Sequence, residues 1–206
     1  LIEKNEKDFD FSKLNVFTFH SYANTYLNDL KIVSNNLLRY SIYRFLKDNE
    51  VLNYADAYLL DIIVPKMENL IRYLKSFGIL QNKIDLKKVR QLLKEDEDGK
   101  YTKEEIDKFA EYFIKIYEYY EKIKNERGID YADMLNNFLT LKNIKKFKSV
   151  LVDELQDINT IEAEIALRSA ENFVAVGDKK QAIFGFQGGS INNFKKFDKA
   201  KKFILG

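Results

Sequence analysis

A short apolar run, Val150, Leu151 and Val152, stops at two adjacent carboxylates, Asp153 and Glu154. No other junction in the chain restricts the fold as much. A run bounded this sharply reads as a buried parallel strand, because neither face accepts a charge until the strand leaves the sheet. A second apolar run, Phe173 to Val176, ends in Gly177 and Asp178, with a helical stretch between the two. The expected fold class is therefore α/β. Open α/β sheets bind ligands outside the carboxyl ends of their strands, so the acidic pair faces a crevice. One carboxylate there can hold Mg²⁺ and its neighbour can orient an attacking water. On these residues alone, a strand running into a solvated acidic turn is the alternative.

The residues that follow are more specific. Gln156 and Asp157 extend the pair to D-E-L-Q-D, and the second run opens V-G-D-K-K-Q-A-I-F-G-F-Q-G-G, ending at Gly189. On these two strings, in this order, the chain resembles the UvrD/Rep family of superfamily 1 DNA helicases. D-E-L-Q-D is similar to that family's motif II (Walker B), usually D-E-F-Q-D. The second string is similar to motif III, usually V-G-D-x-x-Q-S-I-Y-G-[FW]-R-G-A. T-F-H-S-Y-A, Thr18 to Ala23, resembles the family segment T-F-H-S-x-A on the DNA-facing side of the first RecA-like domain. I-D-Y-A-D-M-L, from Ile129, resembles the segment that leads back into that domain.

The resemblance implies an incomplete RecA-like P-loop domain with a parallel sheet and an inserted all-helical subdomain. It implies ATP and Mg²⁺ as cofactors. Asp153 would hold the metal, Glu154 would be the base or water-orienting carboxylate, and Gln181 would sense the γ-phosphate. Gln156, Gly177, Asp178 and Gln187 would complete the nucleotide side. Thr18 and His20 would contact DNA, and Phe184 and Phe186 would stack on its bases, a sequence-tolerant contact that suits a translocating motor. Gln187 stands where the family usually has Arg, keeping hydrogen bonds but losing the charged fork. The implied partners are single-stranded DNA, single/double-strand junctions and a second RecA-like domain of the same parent chain. The implied activity is an ATP-dependent, 3′-to-5′ helicase or translocase in repair or recombination. Two other readings stay open: a non-catalytic DNA-binding or interaction domain that retains these motifs, and part of a RecB/AddA-type helicase-nuclease.

The expected division is 1–33 and 128–206 as parts of the α/β domain, with 34–127 as the helical insertion. Val16 to Phe19 reads as a short strand. Within 34–127 Pro65 starts or kinks a helix, and Gly78 stops it. T-K-E-E from Thr102 offers a capping box with Glu105 for a long helix whose apolar face runs from Ile106 to Ile123. Asp130 and Asn159 are placed to cap the next two helices. The 206 residues contain no G-x-x-x-x-G-K-[ST]. The chain opens at Leu1 and reads as a piece of something longer, inactive by itself towards ATP.

Composition excludes a few classes. With 46% hydrophobic and 32% charged residues the chain is an ordinary globular one, and its net charge of +2 argues neither for nor against nucleic acid. Asp61 interrupts the best apolar stretch, Leu59 to Val64, so no membrane span is expected. Cysteine is absent, which removes disulfides and thiolate metal sites, and with no signal-peptide pattern the expected location is the cytoplasm.

Overall fold

A computed structural model of the protein describes residues 14–27, 30–49, 54–79, 83–85, 87, 90, 102–181, 194, 196, 201 and 203. Along these residues the order is α1 (Phe19–Asn24), α2 (Asn36–Asp48), α3 (Asp56–Tyr58), a π-helical turn (Leu59–Ile63) and α4 (Val64–Ser76). Then come α5 (Lys103–Asn125), α6 (Tyr131–Thr140), β1 (Phe147–Val152), α7 (Thr160–Arg168), β2 (Ala170–Ala175) and a 3₁₀ turn (Lys179–Gln181). The protein is α/β, with a small parallel sheet. No helix among the described residues is long and apolar enough to cross a membrane.

Among the described residues the sheet consists of β1 and β2, parallel, with Phe147 opposite Ala170 and Val152 opposite Ala175. α7 connects them and packs Ile161, Ala163, Ile165 and Ala166 inward. Its start is fixed by a capping box: Asn159 Oδ1 accepts from the Glu162 N–H at 2.9 Å, and a Glu162 carboxylate oxygen accepts from the Asn159 N–H at 2.9 Å. Asp130 and Asp133 form the same arrangement at the start of α6. At the far end of α7, Arg168 donates to the carbonyls of Leu139 and Leu141 and so ties the end of α6 to the same unit.

Two expectations are corrected. β1 is not buried on both faces: Val150 and Val152 pack inward, but Leu151 is 74% exposed and Val174 on β2 is 50% exposed. Side chains alternate across a strand, and the described helices cover one face only. Val16 to Phe19 is not a strand either. Thr18 caps α1 instead, accepting the Ser21 N–H on Oγ1 while Ser21 Oγ accepts the Thr18 N–H. These local bonds satisfy donors that a strand would need a neighbour to satisfy.

The helices from 36 to 125 share a core of their own, centred on Ile42, Leu46, Met67, Ile71, Phe113, Ile116 and Tyr117. Pro65 sits in the first turn of α4, where it has no N–H to donate; the preceding turn widens so that the Val64 N–H reaches the Leu59 carbonyl. Gly78 closes that helix with φ +71°. The side chain of Glu105 lies outside the described residues. Two further cores hold the rest: one joins Tyr22 and Ala23 to α6 and the start of α7, and the other joins Val152, Leu155 and Ile158 to α7.

The chain crosses between the helical core and the α/β part at residues 31–33 and 128–130, and the crossings lie side by side. Ile129 donates its N–H to the Lys31 carbonyl, and Val33 donates to the Ile129 carbonyl, both at 2.9 Å. A Cβ at Gly128 would lie 2.0 Å from the Lys31 oxygen, so the approach requires glycine.

Candidate functional site

The two strands end together. The Val176 N–H donates to the Val152 carbonyl at 2.8 Å, and the Leu155 N–H donates back to the Val176 carbonyl at 2.9 Å, which carries the pairing one step past the sheet. This fixes the loop holding Asp153 and Glu154 against the loop holding Gly177 and Asp178. Glu154 turns the chain with φ 50°, a left-handed conformation in a residue that has a side chain. The turn holds because Leu155 is paired to β2 and the Asp157 N–H donates to the Glu154 carbonyl at 2.8 Å. It leaves Asp153 and Glu154 exposed while Leu155 and Gln156 point inward.

Gln156, 3% exposed, joins the loops through its side chain. Its Nε2 donates to a Glu154 carboxylate oxygen, and its Oε1 accepts the Asp178 N–H at 3.0 Å. Beyond it, Asp178 accepts from the Lys180 N–H at 2.8 Å and from Gln181 Nε2 at 3.3 Å. A continuous chain of bonds therefore runs Glu154, Gln156, Asp178, Gln181. Gly177 is where the loops come closest: a Cβ there would lie 2.7 Å from Gln156 Oε1 and 3.0 Å from the Leu155 nitrogen.

Asp153, Glu154, Gln156, Gly177, Asp178 and Gln181 are thus gathered at one end of the sheet. Phe184, Phe186 and Gln187 lie outside the described residues. Thr18 and His20 sit elsewhere. Thr18 is occupied in capping α1, and His20 meets the ring of Tyr131 edge-on, with centroids 5.2 Å apart. His20 lines a cavity of about 190 Å³ between α1, α4 and the starts of α6 and α7, together with Asn35, Arg72, Tyr131 and Asn159. Glu162, at the start of α7, is pushed up from the ordinary carboxyl value by burial, against the pull of the Asn159 N–H and of His20.

Two carboxylates at the end of a parallel strand, bonded through an amide to a second loop that ends in a glutamine, can hold a hard cation and orient a water. The model of the UvrD/REP helicase N-terminal domain matches residues 1–202. The chain belongs to this family. A probable DNA helicase II homolog of Rickettsia conorii is 27% identical over 215 residues, covering 90% of this chain and 29% of that protein. DNA helicase II of Haemophilus influenzae is 33% identical over 98 residues, 41% of this chain and 14% of its own length. The ATP-dependent DNA helicase PcrA of Leuconostoc citreum is 30% identical over 113 residues, 48% of this chain and 15% of that protein. The chain spans less than a third of the length of these relatives.

Sequence reasoning missed Lys75, which lines the same cavity and lies buried among carboxylates from other helices. Its only signal was position: Lys75 directly follows Leu74 on the buried stripe of α4.

Proposed function

We propose that this chain is part of the first motor domain of an ATP-dependent DNA helicase and single-stranded DNA translocase of the 3′-to-5′ kind. In this reading residues 1–33 and 128–206 belong to a RecA-like domain and 34–127 to a helical subdomain inserted in it. The parent is cytoplasmic, works at single/double-strand junctions, and closes the nucleotide site with a second RecA-like domain. The observation that carries the reading is the bonded path from Glu154 through Gln156 and Asp178 to Gln181, in a chain of the UvrD/REP family. The division at 33 and 128 is supported by the separate core of the helices and the paired crossings beside Gly128.

The donor set suits Mg²⁺. Asp153 and Glu154 are exposed, adjacent and all-oxygen, and Asp153 has accepting capacity beyond the one bond it takes from the Glu154 N–H. Asp153 would hold the ion, which supplies charge neutralisation at the phosphates. Glu154 orients the attacking water and receives its proton, and the bond from Gln156 fixes the carboxylate for that task. Gln181 reads the terminal phosphate, and through Asp178 its position is tied to that of Glu154. Thr18 and His20, with the aromatic residues Phe184 and Phe186, form the DNA side.

The test is steady-state ATP turnover of the parent protein with and without single-stranded DNA. Glu154→Gln lowers stimulated turnover by about a hundredfold or more, the usual contribution of a positioned base. The 206-residue chain alone turns over no ATP, because it carries no phosphate-cradling lysine loop. Undiminished turnover in Glu154→Gln refutes the assignment.

A further inference from the structure

Lys75, Glu121 and Lys124 are the only fully buried charged residues among those described. They close a ring with Asp133. Lys75 Nζ lies 2.9 Å from Glu121 Oε1 and 2.8 Å from Asp133 Oδ1, while Lys124 Nζ lies 2.5 Å from Glu121 Oε2 and 2.5 Å from Asp133 Oδ2. Each carboxylate thus gives one oxygen to each ammonium. Asp130 takes the third donor of Lys75 at 2.6 Å and accepts the Tyr120 hydroxyl at 2.8 Å. The Tyr120 ring faces both ammonium groups, at 5.5 and 5.7 Å from its centroid. Glu121, Asp130 and Asp133 are close enough together for a metal ion, but the Lys75 ammonium already contacts all three.

The members come from three elements. Lys75 stands at the end of α4, Glu121 and Lys124 at the end of α5, and Asp130 and Asp133 at the start of α6. α4 and α5 belong to the helical core, whereas α6 packs with α1 and α7. Three carboxylates against two ammoniums leave one negative charge, and the first turn of α6 favours it. We propose that this ring is a charge-locked joint that holds the helical core in one orientation relative to the α/β part.

A buried ion pair adds little stability over apolar packing of the same volume, but a buried ion that loses its partner is severely penalised. A rotation of the helices that apolar packing would tolerate parts Lys75 and Lys124 from Asp133 and is resisted. The joint also reaches the T-F-H-S segment, since Tyr131, next to Asp130, packs on His20. The ring's geometry alone supports the joint, and its test needs neither ATP nor DNA, so it stands or falls apart from the helicase reading.

The chain has no cysteine, so a spin-label pair at Glu111→Cys on α5 and Glu171→Cys on β2, both exposed, reports the orientation by electron–electron dipolar spectroscopy. Ten residues of helix separate Glu111 from the ring, a lever of about 15 Å, so a rotation of about 20° moves the label by about 5 Å. Asp133→Asn keeps the shape and the capping acceptor but opens the ring. The distance distribution is expected to broaden by about 5 Å, the displacement that such a rotation gives over this lever. An unchanged width in folded Asp133→Asn overturns the proposal. If that variant does not fold cooperatively, the uncharged ring (Lys75→Met, Lys124→Met, Glu121→Leu, Asp133→Leu, with Asp130→Asn so that no carboxylate is left without its cation) decides: folded and broad supports the joint, folded and narrow overturns it. Failure of both to fold also overturns it, by making the ring a condition of folding rather than of orientation.

Discussion

Gly177→Ala tests how tightly the two loops of the site are pressed together. The new methyl group would meet Gln156 Oε1 at 2.7 Å, Leu155 Cβ at 2.9 Å and the Leu155 nitrogen at 3.0 Å. Two responses are open. Gln156 can withdraw, which breaks its bonds to Glu154 and Asp178 and leaves a buried amide unpaired, a loss of about 3–6 kcal/mol. Alternatively the backbone can shift by a few tenths of an ångström, at the usual overpacking cost of about 1–3 kcal/mol. The second is cheaper, so the expected loss is about 2 kcal/mol, a large part of a typical stability of about 5–15 kcal/mol. Urea unfolding of the chain followed by circular dichroism reads this as a lower midpoint at unchanged slope. Because two of the three contacts are with Leu155, the loss should persist when Gln156→Ala is already present, to within about 1 kcal/mol. A loss below about 0.5 kcal/mol in either background refutes the close approach as described.

Lys75→Met leaves three carboxylates facing one ammonium and should destabilise the chain by about 3–5 kcal/mol, read from the same unfolding curves. Acid sensitivity follows from Asp130: burial alone would raise its carboxyl, but Lys75, Lys124 and the Asp133 N–H outweigh burial and hold it below the ordinary aspartate value. A carboxyl depressed in the folded state contributes stability that is complete above the unfolded value of about 3.9 and is lost as pH falls through the folded value. Melting temperature should therefore hold down to about pH 4 and drop below it, and in Lys75→Met the drop should shrink, because Asp130 loses the cation that holds its carboxyl down. The groups facing Asp130 are Lys75 from α4, Tyr120, Glu121 and Lys124 from α5, and Asp133 from α6. Gly128→Ala forces a methyl group to 2.0 Å from the Lys31 carbonyl and should cost about 3 kcal/mol or prevent folding, whichever thermal melting shows. Thr18→Ala removes the cap of α1 for about 1 kcal/mol, and Thr18→Ser should restore it.

Much of the α/β part was legible because its signals are local. An apolar run ended by charges marked β1, and single polar residues at the right offsets, Asp130 and Asn159, marked the starts of α6 and α7. The burial of β1 was misjudged for a related reason. Three apolar residues in a row state what a strand tolerates, not how many layers cover it, and Leu151 is exposed. At Val16 to Phe19 the bulky residues suggested a strand, but the T-x-x-S spacing of Thr18 and Ser21 won by satisfying the backbone on the spot. Gln156 as a bridge could be read only in part: its place after the acidic pair was visible, its acceptance of the Asp178 N–H was not. The charged ring was invisible for want of long-range information. Lys75 pairs with residues 46 and 55 positions away. Periodicity offered a hint, since Lys75 extends the buried stripe of α4 and Lys124 continues that of α5 past Tyr117 and Tyr120.

The role of Glu154 can be read from the fate of bound ATP. In the parent protein mixed with ATP, Mg²⁺ and single-stranded DNA, then separated rapidly from free nucleotide, Glu154→Gln should retain ATP as tightly as the unaltered protein and return it uncleaved. Recovery of ADP from Glu154→Gln as fast as from the unaltered protein would contradict the proposed role of Glu154 as the carboxylate that activates the attacking water.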